Sequence, residues 1–166
     1  MSVEFYHSRS AHGRMVPFEV EDEGTMAGYS CSYSSFAMAR LRICAHFSPR
    51  ASVLWSSLYL MGKYESEIVS LCKRFVPAPV RRLLFQPDCD GFLTPKQCQA
   101  ILNSLKRHLF DDHEDVQECV VEYKDPFNGK SYNNRHLNNG YYKCVTRYLV
   151  KAMKHSVAKN RYLVWG

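Results

Sequence analysis

Thr94-Pro95-Lys96-Gln97-Cys98-Gln99-Ala100-Ile101-Leu102-Asn103-Ser104-Leu105-Lys106-Arg107-His108-Leu109 is the stretch that decides how the chain reads. Threonine before proline is a helix start: the hydroxyl can accept an orphan amide, and proline suits the first helical position. Cys98, Ile101, Leu102, Leu105 and Leu109 then recur at the spacing of one helical face. The same pattern appears elsewhere in the chain. Ser34 and Ser35 can cap a helix to about Phe47, with Phe36, Ala39, Ile43 and Phe47 on one face. Ser48-Pro49 opens another, through Leu54, Leu58 and Met61, closed by Gly62. Glu65 to Phe75 places Ile68, Leu71, Cys72 and Phe75 at helical spacing, and Pro77 and Pro79 stop it. Tyr141 to Lys159 forms a last long helix that buries Tyr141, Val145, Tyr148, Leu149 and Ala152, with Asn160 as its terminator.

Outside these helices the pattern is extended. Val3-Glu4-Phe5-Tyr6 and Met15-Val16-Pro17-Phe18-Glu19-Val20 are short β-prone runs, and Pro17 confines the second to a sheet edge or an irregular segment. Glu21 to Gly24 reads as a loop, Asp125-Pro126-Phe127-Asn128-Gly129 as a turn, and Asn133 to Gly140 as a loop. Tyr162-Leu163-Val164-Trp165 is a C-terminal strand. The predicted class is α+β: a mostly helical single domain over residues 1–166, with short strands at the N-terminus and one at the C-terminus.

Composition fits this. Of 166 residues, 46% are hydrophobic and 13% aromatic, enough apolar surface for a core. No apolar run reaches the roughly 20 residues of a membrane span, and residues 1–10 lack the pattern of a signal peptide. Seven scattered cysteines, with no C-x-x-C pair, point to reduced structural thiols and a cytoplasmic location. The net charge of +6 is compatible with an anionic partner.

Asp88-Cys89-Asp90-Gly91 is the most distinctive short motif. It fits the middle of a calcium loop, but Gln86 and Gln97 would stand at the first and twelfth ligand positions, where carboxylates belong. The other reading is a tight turn in which Asp88 and Asp90 bond backbone amides and Gly91 supplies a positive φ. Arg40 or Arg42, Asp88, Asp90 and Tyr33 can also converge, either on a ligand or as an ion pair holding the turn to the first helix. His108, Asp111, Asp112 and His113 are metal-ligand types without a metal-ligand spacing.

Tyr33-Ser34-Ser35-Phe36 followed by Arg40 and Arg42, the Asp88-Cys89-Asp90-Gly91 motif before a helix, and a short terminal strand resemble small uncharacterised proteins common in bacteriophages and bacteria. The likeness covers about residues 29–47, 83–105 and 141–165, and departs where Pro87 replaces the usual serine. It implies origin and fold, and no activity.

The chain has no phosphate-cradling glycine loop, no nucleophile elbow and no H-E-x-x-H, and no cofactor is implied. Lys143, Arg147, Lys151 and Lys154 form a basic stripe along the last helix, beside its inward face. Tyr132, Tyr142, Asn133, Asn134, Arg135, Asn138 and Asn139 can add stacking and hydrogen bonds, although a solvated helix face looks the same in sequence. Two functions follow. One is a non-enzymatic binding protein, phage-encoded, with an anionic partner: a host or defence protein, nucleic acid or nucleotide. The other is a small metal-dependent hydrolase or nuclease using Asp88 and Asp90.

Overall fold

A computed structural model describes residues 2–14, 16–17, 30–105 and 119–166. The fold is α+β: helices packed on one face of a small antiparallel sheet. Strand β1 (Ser2–Ser8) pairs along one edge with β7 (Tyr162–Trp165). Its other edge carries β2 (Val16–Pro17) at one end and β3 (Ser30–Ser32) at the other. β4 (Gly91–Leu93) pairs with the far edge of β7, so the C-terminal strand lies in the middle of the sheet. Pro17 sits on an edge strand, as a residue without an amide proton must.

Side-chain alternation sets the core. Val3, Phe5 and His7 of β1 point inward. Phe5 and Gly91 both pair with Trp165, and Leu93 pairs with Leu163. Trp165 is wholly buried, edge-on to Phe36 at 5.5 Å between ring centroids and 6.4 Å from Phe5.

Helix α1 (Tyr33–Phe47) lies over this face and is buried on nearly all sides, Arg40 and Arg42 included. Its cap is Ser32 rather than Ser34 or Ser35: Ser32 Oγ accepts the Ser35 amide at 3.2 Å. The chain leaves β3 with Ser32 still extended (φ −69°, ψ 155°), which is the cap conformation. Ser48 ends α1 and caps α2 (Pro49–Ser56), accepting from the Ala51 amide, with Pro49 in the first turn. The expected continuation through Leu58 and Met61 fails. The chain breaks at Ser57, and a separate short helix, α3 (Leu58–Lys63), turns Leu58 (87% exposed) and Met61 outward, with Gly62 inside it.

Helix α4 (Glu65–Phe75) has the predicted limits, although Phe75 is exposed. The prolines that stop it also start α5 (Ala78–Leu84): Pro77 is its N-cap and Pro79 lies in its first turn, where a missing amide proton costs nothing. Helix α6 (Pro95–Leu105) buries Cys98, Ile101 and Leu105; Leu109 lies outside the described residues, as do Met15, Phe18 to Gly24, His108 and Asp111 to Asp115. Helix α7 (Gly140–Lys159) packs on α1 and α6 and ends at Asn160 in the left-handed conformation (φ 50°). Tyr141, predicted inward, is half exposed in the first turn of the helix.

A second small sheet was hidden in the sequence. β5 (Glu122–Lys124) and β6 (Ser131–Asn133) form a hairpin around the predicted Asp125–Gly129 turn. The segment Asn133–Gly140, read as a loop, contains a 3-10 turn over Arg135–Asn138 that buries Leu137. None of the seven cysteines is disulfide-bonded. Among the described residues, no helix is long and apolar enough to cross a membrane.

Candidate functional site

The Asp88 turn is where the sequence pointed first. Arg40 reaches it from α1: one guanidinium nitrogen donates to the carbonyls of Leu83 (3.3 Å) and Gln86 (2.7 Å), and the other pairs with the Asp88 carboxylate. The guanidinium also lies over the Phe36 ring, 4.4 Å from its centroid. Leu83 is in the last turn of α5, so Arg40 supplies a donor and a positive charge to a helix C-terminus whose carbonyls lack partners. Burial pulls the Arg40 pKa down to about 10, so the group is charged at neutral pH. At the other side of the turn, the Trp165 indole N–H donates to the Pro87 carbonyl at 3.0 Å.

The turn is therefore clamped between α1 and β7. Of the predicted constellation, Arg40 and Asp88 meet. Asp88 bonds the guanidinium rather than backbone amides. The positive φ belongs to Asp90 (56°) and not to Gly91. Gly91 is needed for another reason: a β-carbon there would lie inside the Trp165 indole, against Cε2, Nε1 and Cζ2.

The calcium reading loses its ligands in the same way. Gln97 accepts the Thr94 amide at 2.9 Å while Thr94 Oγ1 accepts the Gln97 amide at 3.2 Å, a reciprocal capping box at the start of α6. Asp88 is already neutralised by Arg40. Among the described residues, no group of three His, Cys, Asp or Glu side chains is placed to hold a metal ion.

The basic stripe is more deeply set than its spacing suggested. Lys143, Arg147 and Lys151 are half-buried, and each is engaged by other groups of the chain; Lys154 is exposed. Arg147 lies beside the Tyr148 ring at 5.5 Å. The asparagines expected to add a polar contact surface are largely structural. Asn134 is fully buried, donating to Ser52 Oγ (2.8 Å) and the Cys119 carbonyl (2.9 Å) and accepting from the Val121 amide (2.9 Å). Asn139 caps α7 by accepting the Tyr141 amide, and Asn133 accepts the Arg135 amide.

A different surface came together without warning from the sequence. Tyr123 and Tyr132, opposite each other in the hairpin, share one face of it. Tyr123 donates to the Tyr64 hydroxyl at 2.6 Å, and Tyr132 stacks on Tyr59 of α3 at 6.1 Å and 10°. That hydrogen bond, then burial, raises the Tyr64 pKa. Lys63 Nζ sits 4.0 Å from the centroid of the Phe127 ring, 5.3 Å from that of Tyr59, and 3.4 Å from Asp125. Asp125 has no exposed surface and accepts the Phe127 amide at 2.9 Å. Burial raises its pKa, but the Phe127 amide and the Lys63 charge outweigh this and hold the carboxyl below its usual range. Phe127 itself is 78% exposed at the hairpin tip, and Tyr59 50%.

No family model, curated protein or solved structure matches the chain.

Proposed function

We propose that the protein is a non-enzymatic binding protein with an anionic partner. The observation that carries this reading is the charge of α7: five lysines and arginines (Lys143, Arg147, Lys151, Lys154 and Lys159) and no carboxylate in Gly140–Lys159, against a net charge of +6 for the whole chain. Lys154 and Lys159 are exposed at its C-terminal end. Such a concentration of one sign attracts nucleic acid, a nucleotide or an acidic protein surface. The resemblance of the Tyr33–Arg42 and Asp88–Gly91 segments to small phage and bacterial proteins supports a phage-encoded chain whose partner is a host or defence component. The hydrolase or nuclease alternative asks Asp88 to bind a metal in competition with a guanidinium, and no observation favours it.

The test is retention on immobilised heparin at two salt concentrations. The parent should bind at low salt and release as salt rises, because screened Coulomb attraction weakens with ionic strength. Lys154→Glu combined with Lys159→Glu should release earlier, with the melting temperature little changed, since both residues are exposed. Arg147 and Lys151 are unsuitable for the test, because reversing a half-buried, engaged cation disturbs the fold as well. A parent that fails to bind heparin at low salt refutes the reading.

A further inference from the structure

The face formed by α3 and the β5–β6 hairpin has a chemistry that its fold does not require. The four-residue hairpin loop is closed by backbone bonds from Asp125 N–H to Lys130 O and from Gly129 N–H to Asp125 O, both 2.9 Å, with Gly129 at φ 69°. From position 127, Asp125 takes only the backbone amide. Any residue could supply that amide, yet phenylalanine stands there with most of its ring in water. The Lys63 ammonium lies against that ring and 5.3 Å from the ring of Tyr59, which stacks parallel to Tyr132. Lys130 and Arg135 are exposed on the hairpin and just beyond it, and Lys63, although paired with Asp125, is exposed beside them. Flat rings beside cations suit a ligand that is both aromatic and anionic.

We propose that this face binds single-stranded nucleic acid, with an unpaired base stacked on Phe127, a neighbouring base against Tyr59 and Tyr132, and phosphates held by Lys63 and Lys130. The proposal rests on the reading that the partner is anionic and narrows it to one class. Stacking on an aromatic ring tolerates any base, so the site discriminates strand state more than sequence. A duplex keeps its bases inside the stack and offers only phosphates.

Fluorescence anisotropy with labelled dT20 and rU20 tests it, with a dT20·dA20 duplex and labelled polyglutamate as base-hidden and base-free anions. The parent should bind a single strand more tightly than the duplex or polyglutamate, and comparison of the two strands tells DNA from RNA. Phe127→Ala should weaken single-strand binding about five- to 150-fold, the range for loss of one stacked base. Phe127→Trp should retain it. Both variants should melt near the parent, because the turn uses only the backbone of residue 127. Equal affinity of parent and Phe127→Ala for single strands overturns the proposal. So does equal affinity of the parent for dT20 and polyglutamate, while leaving the anionic-partner reading standing. Failure to bind any of the single strands overturns it as well, and retention on heparin then decides separately whether the broader reading survives.

Discussion

Replacing Gly91 with alanine tests the account of the Asp88 turn most directly. The added methyl would meet three atoms of the Trp165 indole well inside the ~3.5–4.0 Å at which non-bonded carbons sit. The indole cannot yield easily: it is fully buried, edge-on to Phe36, and bonded through Nε1 to the Pro87 carbonyl. Forcing it aside costs about 1–3 kcal/mol of overpacking strain. Stranding its buried N–H costs a further ~1–3 kcal/mol. A central value of about 4 kcal/mol is a large part of the roughly 5–15 kcal/mol that holds a domain folded. For a chain of this size it lowers Tm by roughly 8–16 °C. Urea titration should show a lower midpoint with an unchanged slope, and near-UV circular dichroism should show an altered indole environment. In a Trp165→Phe background the same substitution should cost less, because the smaller ring leaves part of the space; such non-additivity marks residues in contact. If Gly91→Ala melts within 2 °C of the parent (about the smallest shift that ~1 kcal/mol gives), or if the two substitutions add, then the close approach of backbone and indole is not what fixes glycine there.

Three further outcomes follow from the same geometry. Asp90 occupies the left-handed region at φ 56°, so Asp90→Gly should melt at or above the parent and Asp90→Val below it by roughly the 1–2 kcal/mol of that conformation; a marked loss in the glycine variant would give the carboxylate a role the structure does not assign. Burial, the His155 ring 6.0 Å away, and the Arg161 and Lys159 charges lower the His7 pKa, against the opposing effect of its bond to the Ala152 backbone. The unfolded chain thus takes up the proton first. Stability should be full above pH ~6.5 and fall as pH drops through the folded value; His7→Gln should flatten this slope in pH-dependent melts, and an unchanged slope would refute the assignment. All seven cysteines should react when the chain is denatured in alkylating reagent without reductant, as mass measurement would show; a single native disulfide contradicts this.

Helix ends were the most legible part of the sequence because their chemistry is local. Ser48-Pro49, Thr94-Pro95 and Asn160 each bound or began a helix where the residue types required. The strands β4, β5 and β6 were not legible: three residues each are too few to carry an alternation. Leu58 and Met61 misled because they continue the helical spacing of Leu54, while the break at Ser57 rotates them to solvent. Pro77 and Pro79 carry two meanings at once, the end of α4 and the start of α5, and the spacing of apolar residues marks only the first. Gly91 is needed not for a positive φ but because of Trp165, far away in sequence and adjacent across the β4–β7 ladder, a contact no local pattern reveals.

The same distinction separates the two surfaces that compete for a functional role. The Asp88 motif attracts notice because its residues are adjacent in sequence, yet four groups of the segment are consumed by architecture: Asp88 by Arg40, the Pro87 carbonyl by Trp165, Gly91 by the indole, Gln97 by the Thr94 cap. The α3–hairpin face draws on Tyr59, Lys63, Phe127 and Tyr132, which no short motif could unite, and it keeps the exposed rings of Tyr59 and Phe127 that the turn chemistry leaves unused. A residue whose bonding capacity is spent inside the fold reports on stability when it is changed. One whose side chain the fold does not use can change binding alone. Substitutions at Gly91 and at Phe127 should therefore part cleanly, the first moving the melting transition and the second moving affinity, and that separation is what assigns architecture to the motif and recognition to the hairpin.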